Sequence, residues 1–330
     1  LVFLIILTAI ASAILDNVTT ILLAVPMTLV VCKQLNVSPV PFILSQVFAS
    51  NIGGASTLVG DPPNIIIASR ANLSFNDFLV HMAPWVIVVM MVITPMLVFM
   101  FRKELVNTAA DRARIDKLDE KSYLKDKVLL KKSLFVLGAV MIAFVLHTAL
   151  HLEPSIVAML GAGVLVGISR LKPKDYAMDV EWGTLVFFAG LFIMVGALVK
   201  TGALGEFADF LKDQVGDQAS LAAMVLLFVS AILSGVVDNI PYVASMSPVV
   251  TELAANVSDK HGDVLWWSLA FGADFGGNAT IIGASANVVA IGLAHKAGIK
   301  ISFWQFAKYG IPVTLVSVLL VAPYILIRYF

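Results

Sequence analysis

Between Asp77 and Arg102 the chain carries no Asp, Glu, Lys or Arg, and comparable apolar runs recur along its length. A helix needs about 20 such residues to cross the hydrocarbon core of a bilayer. Inside lipid every backbone polar group must bond internally, which leaves helices or a closed barrel. Strand-type alternation is absent, which argues against an outer-membrane barrel. Composition agrees, because 59% of the 330 residues are hydrophobic and only 13% are charged. A soluble domain is about half apolar and about a quarter charged. The chain therefore reads as an all-α polytopic membrane protein, with the lipid bilayer as its first partner. Its formal net charge of zero offers nothing to nucleic acid. Cys32 is the single cysteine, which excludes an internal disulfide and a Cys-rich metal or redox centre.

Carboxylates inside such runs are costly and mark functional sites. Two stand out. Ser12-Ala-Ile-Leu-Asp16-Asn17 and Ser234-Gly-Val-Val-Asp238-Asn239 match at an offset of 238 − 16 = 222, and Pro26 and Pro248 follow at the same offset. Asn51-Ile-Gly53-Gly54-Ala-Ser-Thr57-Leu-Val-Gly60-Asp61-Pro62-Pro63-Asn64 then lines up with Asp274-Phe-Gly276-Gly277-Asn278-Ala-Thr280-Ile-Ile-Gly283-Ala-Ser285-Ala-Asn287, at 276 − 53 = 223. Ser74-Phe75 answers Ser302-Phe303 at 303 − 75 = 228. Constant offsets within elements, drifting at loops, are the mark of a duplicated unit.

The pattern predicts a first repeat over 1–101, made of a re-entrant hairpin (1–32), a broken helix (39–71) and a helix (78–101). A linker follows over 102–132. The second repeat, 133–330, holds helices at 133–151, 154–170 and 182–200, and an interfacial stretch at 203–217. It continues with a second re-entrant hairpin (219–256), a second broken helix (264–298) and a last helix (303–328). Each hairpin arm is taken as about 15 residues, or roughly 22 Å, short of a core of about 30 Å. The linker carries Arg102, Lys103, Arg112, Arg114, Lys117, Lys121, Lys125, Lys127, Lys131 and Lys132, a cytoplasmic signature. Arg170, Lys172 and Lys174 return to that side two crossings later. Five crossings and a hairpin per repeat invert one repeat against the other, as in secondary transporters, so about ninety residues are expected ahead of Leu1 in the native protein.

At each hairpin tip one arm ends in free carbonyls and the next begins in free N–H groups. Asn17 and Asn239 are read as caps of the second arms, with Thr19, Thr20 and Ser245 nearby. Asp16 and Asp238 are read as ion or substrate contacts. Gly60-Asp61-Pro62-Pro63 breaks its helix, because two prolines remove two donors and push the residue before them out of the α region. Asn64 is read as the cap of the half that resumes, and Asn287 as its counterpart behind Gly283. Gly53, Gly54, Gly276 and Gly277 are read as close-packing positions. Asp61 and Asp274 have Ala284 and Asn51 as partners by alignment. Asymmetric carboxylates on a symmetric frame are candidates for coupling a proton or cation. His147 and His151 share a helix face but lack the Glu of a HExxH motif, so no metal site is assigned and no cofactor is expected beyond a coupling Na⁺ or H⁺. No GxxxxGK[ST] motif occurs, so the chain has no ATPase of its own.

Residues 12–23, Asn51-Ile-Gly-Gly-Ala, Gly60-Asp-Pro-Pro-Asn-Ile-Ile-Ile-Ala-Ser and Gly276-Gly-Asn-Ala-Thr-Ile-Ile-Gly-Ala-Ser-Ala-Asn287 resemble the arsenite permease, sodium/proton antiporter and melanosomal P-protein group of the ion transporter superfamily. That group is related to citrate-transporter-like and dicarboxylate carriers. The resemblance implies a scaffold and a transport domain, elevator-like alternating access and a homodimer. It also allows a separate ATPase subunit. It implies a substrate that is a small inorganic ion or anion: arsenite or antimonite efflux first, sodium/proton exchange as an alternative, an organic-anion carrier as another. Dicarboxylate carriers place Ser-Asn-Thr at the tips, and Asp-Asn here adds negative charge that disfavours a dicarboxylate. An intramembrane aspartyl protease also needs two membrane aspartates, but its GxGD and Tyr-Asp motifs are missing. Asp16, Asn17, Thr19, Asp238 and Asn239 are expected to form the tips, with Asp61, Asn64, Asp274, Asn278 and Asn287 facing them.

Overall fold

The computed structural model describes residues 1–104, 126–169, 182–202, 218–256 and 262–330, together with 172, 176–178, 180 and 206. The predicted interfacial stretch at 203–217 (apart from Glu206), Arg170, Lys174 and most of the linker lie outside the described residues. Within them there is no strand. The helices are α1 (Val2–Ile14), α2 (Asn17–Leu35), α3 (Val40–Gly54), α4 (Pro62–Ala71), α5 (Phe75–His81), α6 (Ala83–Phe101) and α7 (Lys127–Leu150). They continue as α8 (Pro154–Ser169), α9 (Trp182–Lys200), α10 (Ala219–Ser234), α11 (Asn239–Asn256), α12 (Gly262–Gly276), α13 (Ser285–Lys296) and α14 (Phe303–Tyr329). A 3₁₀ turn, Ile281–Gly283, precedes α13.

By length and composition α2, α6, α7 and α14 are long and apolar enough to cross a membrane. Their outer faces stay apolar: Phe135 is 77% exposed and Ile327 84%. Surface of that kind is stable against lipid rather than water. Helix ends follow from capping chemistry. Ser74 and Asp77 form a capping box at the start of α5, and the Ser302 hydroxyl accepts from Gln305 N–H at the start of α14. α2 and α4 end on Asn36 and Asn72 in the left-handed region, both at φ 55°, a conformation asparagine tolerates.

The two hairpin arms are unequal, which corrects the estimate of about 15 residues each. α1 has 13 residues and α2 has 19; α10 has 16 and α11 has 18. The second arms run on through Pro26 and Pro248, which sit inside α2 and α11. α7 also starts six residues before the predicted Ser133, because Asp126 caps it by accepting from Val128 and Leu129 N–H.

Packing is crossed. α1 lies along α3, and α10 along α12; α2 reaches α13, and α11 reaches α4. α6 and α14 run antiparallel, with Phe101 against Tyr309 at one end and Trp85 stacked on Tyr324 at the other. The apolar core between these helices buries Phe48, Phe271, Phe275, Phe306 and Trp267, with Phe48 edge-on to Phe306 at 5.3 Å.

Candidate functional site

Local bonds recur at matched positions in the two halves. Ser12 Oγ donates to Ser50 O at 2.7 Å, and Ser234 Oγ to Ala273 O at 2.6 Å. Thr57 Oγ1 donates to Ala13 O at 2.7 Å, and Thr280 Oγ1 to Gly235 O at 2.7 Å. These bonds pin the first arms, α1 and α10, to the breaks that follow α3 and α12. The glycines permit the approach: a Cβ on Gly53 would stand 2.3 Å from Ala9 O, and one on Gly276 2.5 Å from Ala231 O. Gly54 and Gly60 face one another across the first break, and Gly277 and Gly283 across the second.

Each break ends in one extended residue before the second half-helix begins. Asp61 has φ −141° and ψ 132°, and its counterpart Ala284 has φ −151° and ψ 145°. Pro62 and Pro63 then occupy the first turn of α4, where an N–H has no helical partner and their fixed φ suits the helix. Asn64 is not the cap expected from sequence. It lies inside α4 and turns its Nδ2 back to Thr57 O at 3.0 Å, and Asn287 does the same to Thr280 O at 2.8 Å.

The tips also reverse an expectation. Asp16, not Asn17, caps α2, accepting from the N–H and the hydroxyl of Thr19. Asp238 heads α11, accepting from Ile240 N–H at 3.0 Å and from Ser285 Oγ at 2.7 Å. Both aspartates are only partly buried. A carboxylate accepts from free N–H groups as well as an amide does, and this leaves the asparagines free to turn inward. Ser245 donates to Pro241 O within its own helix, away from the tip.

The inward asparagines converge on Asp61, which is fully buried. Asn17 Nδ2 donates to Asp61 Oδ2 at 2.8 Å, and Asn239 Nδ2 lies 3.4 Å from both of its oxygens. One carboxylate therefore ties both tips. Beside it, Asn51 Nδ2 donates to Asn278 Oδ1 at 3.0 Å and to Asn287 Oδ1 at 2.9 Å, while Asn17 Nδ2 lies 3.4 Å from Asn51 Oδ1. Asn51 is the residue sequence reasoning passed over; its signal was its alignment with Asp274. Asp274, three turns into α12 and fully buried, has no hydrogen-bond partner at either carboxyl oxygen. Asn17 Oδ1, Asn64 Oδ1, Asn278 Nδ2 and Thr20 Oγ1 are also buried without a partner.

The structure thus brings together Asn17, Asn51, Asp61, Asn64, Asn239, Asp274, Asn278 and Asn287, and sets Asp16, Thr19 and Asp238 at the rim. Among the described residues, the only buried charged or basic side chains are Asp61, Asp274 and His147, the last bonded instead to Phe75 N–H near the α7 end. No group of three or more His, Cys, Asp or Glu among them could hold a metal ion. Buried carboxylates ringed by amides, with no cationic side chain, form an environment for positive charge or a proton.

Comparison with known proteins follows this geometry. A model of the citrate transporter family matches residues 1–272. A 46 kDa membrane protein of Mycobacterium leprae is 51% identical over 330 residues, covering 100% of this chain and 77% of its own. A protein of Mycobacterium tuberculosis named an uncharacterized transporter is 52% identical over 332 residues, with the same coverage of 100% and 77%. The P protein of Homo sapiens is 32% identical over 407 residues, covering 100% of this chain and 49% of the P protein.

Proposed function

This chain belongs to the citrate transporter family, and on that premise we propose that it is an ion-coupled secondary transporter of the plasma or inner membrane that moves a small inorganic species. It is a transporter, not an enzyme. One observation carries the coupling: Asp274 is wholly buried with neither carboxyl oxygen hydrogen-bonded. An ionised carboxylate left so is very unfavourable, and a proton or cation relieves it. The reading includes two inverted repeats with re-entrant hairpins, supported by the matched bonds of Ser12 with Ser50 and Ser234 with Ala273, and by the crossed packing of α2 on α13 and α11 on α4. Elevator-like access and a homodimer come from the resemblance alone.

Substrates rank by charge. A site with two buried carboxylates and no described cationic side chain repels a free di- or tricarboxylate. It suits cation or proton exchange best. A second reading, efflux of an uncharged arsenite-type species, draws on the amide and hydroxyl lining of the same cluster. The test is the purified chain in liposomes. An imposed Na⁺ gradient should change internal pH; arsenite and labelled citrate serve as the other arms. Citrate uptake with no cation-driven pH change would reverse this ranking, and silence in all three arms would reject the transporter mechanism proposed.

A further inference from the structure

His147, near the end of α7, is the one buried histidine among the described residues, and its partners settle where its proton sits. Leu152 O lies 3.2 Å from Nδ1. A carbonyl only accepts, so Nδ1 carries the hydrogen. Phe75 N–H, at the start of α5, reaches Nε2 at 3.2 Å. A backbone N–H only donates, so Nε2 presents its lone pair. The ring bonded this way is neutral and has one tautomer, assigned from its two backbone partners. Two further contacts join α5 to α7, and neither titrates. Asn76 Nδ2 donates to Val145 O at 2.9 Å, and Phe75 stacks on Phe144 at 5.4 Å. His147 also lines a cavity of about 720 Å³ with Ser69, Asn72, Ser74, Thr148 and Glu153, a polar wall that gives protons a route to the ring.

We propose that His147 is a pH-operated latch: neutral, it holds α5 against α7; protonated at Nε2, it loosens α5. One H⁺ joins Nε2, and the bond from Phe75 N–H breaks, because two donors then face each other. The new N–H has the Thr148 hydroxyl, 3.4 Å away, as its acceptor. Leu152 O keeps the hydrogen of Nδ1 throughout. The Asn76 bond and the ring stacking remain, so α5 loosens at its first residue rather than detaching. Residues 72–74 join α5 to α4, whose head carries Asp61. The latch therefore bears on the helix that leads into the polar cluster.

The charged and titratable groups of the surrounding elements are engaged elsewhere or exposed. Asp77 of α5 accepts from the N–H and the hydroxyl of Ser74. At the other end of α5, His81 bonds Tyr329 and stacks on Trp267. Arg70 of α4 is exposed, as are His151 and Glu153 in the turn after α7. Lys132, the nearest lysine of α7, stands about four turns down that helix. α6 and α8 carry no titratable side chain. His147 is thus the titrating group bonded to the Phe75 amide.

Hydrogen–deuterium exchange at the Phe75 amide of the purified chain in lipid tests this, with the intrinsic pH dependence of exchange divided out. The expected result is a loss of protection of about two- to tenfold between about pH 8 and pH 5, the size of one net hydrogen bond. His147→Gln keeps an acceptor but cannot titrate, and should hold protection level across that range. His81→Phe should keep the wild-type fall. Thr148→Val, which removes the acceptor for the new N–H, should move the fall to lower pH, and it stands in if His147→Gln fails to fold. Protection that stays level with pH in wild type, a fall of equal size in His147→Gln, or an unmoved midpoint in Thr148→Val overturns the latch. Transport enters nowhere in this readout, so failure of the proposed function leaves the latch standing, and failure of the latch leaves that function standing.

Discussion

Gly53→Ala should destabilise the fold, and its size follows from the geometry. The added Cβ would lie 2.3 Å from Ala9 O, 2.6 Å from Ala9 Cα and 2.8 Å from Ala9 C. Carbon and oxygen settle no closer than about 3.3 Å, so α1 must retreat from α3 by about 1 Å. All three obstructing atoms are backbone, so no rotamer change relieves the overlap. Overpacking of this kind costs about 1–3 kcal/mol, opposed by about 1 kcal/mol of better helix propensity. The net loss, up to about 2 kcal/mol, corresponds to a fall of a few degrees at about 2–4 °C per kcal/mol. Gly163→Ala is the control. It lies inside α8, where an added Cβ meets nothing within 4 Å, so propensity acts alone and the melting temperature should rise slightly. Thermal loss of the monodisperse peak in detergent measures both. Equal shifts of the two variants, in either direction, would refute the close approach of α1 to α3 and the role assigned to Gly53.

Two further outcomes separate the roles of the carboxylates and of pH. Asp16→Asn keeps a competent cap and should leave stability within about 0.5 kcal/mol, whereas Asp61→Asn turns an amide donor toward Asn17 or Asn239 and should cost about 1–3 kcal/mol while abolishing transport; matched flux and melting for the pair would move the site back to the rim. His81, in the short helix α5, is held below the ordinary histidine range by burial first and then by Arg328, against the pull of Asp77 and Asp263. Its proton is therefore taken up more readily in the unfolded chain, so stability is complete above about pH 6.5 and declines as pH falls toward the folded value. His81→Phe should flatten the melting curve against pH between about pH 7 and pH 5, and an unchanged slope would assign the dependence to another group.

Hydropathy alone located α6, α7 and α14, because spanning length and apolar composition are local properties. The matched bonds of Ser12 and Ser234 were foreshadowed by sequence, because Ser12, Asp16, Asn51 and Gly53 each have a counterpart at nearly one offset. The allocation of Asp and Asn at the tips was not. Either residue caps a helix, and only the presence of Asp61 across the cluster, 178 residues from Asn239, decides that the asparagines turn inward. Asn51 was overlooked because its bonds reach Asn278 and Asn287, 227 and 236 residues away. The second arms outrun the length assigned to them because α2 and α11 continue through Pro26 and Pro248, where neighbouring helices can satisfy the freed backbone groups.

The crossed packing bears on how such a chain is made. During synthesis α2 emerges long before α13, and Asn51 waits 236 residues for Asn287. Until then Asn51 sits in the membrane without Asn278 and Asn287, and Asp61 without Asn239. Asp61 has only Asn17 from its own half. The early half is therefore a polar, incompletely satisfied intermediate, and its late partners are as distant as the chain allows. A nascent chain arrested after α6 should accordingly be a substrate for membrane chaperones and quality-control proteases. One carried through α13 should escape them.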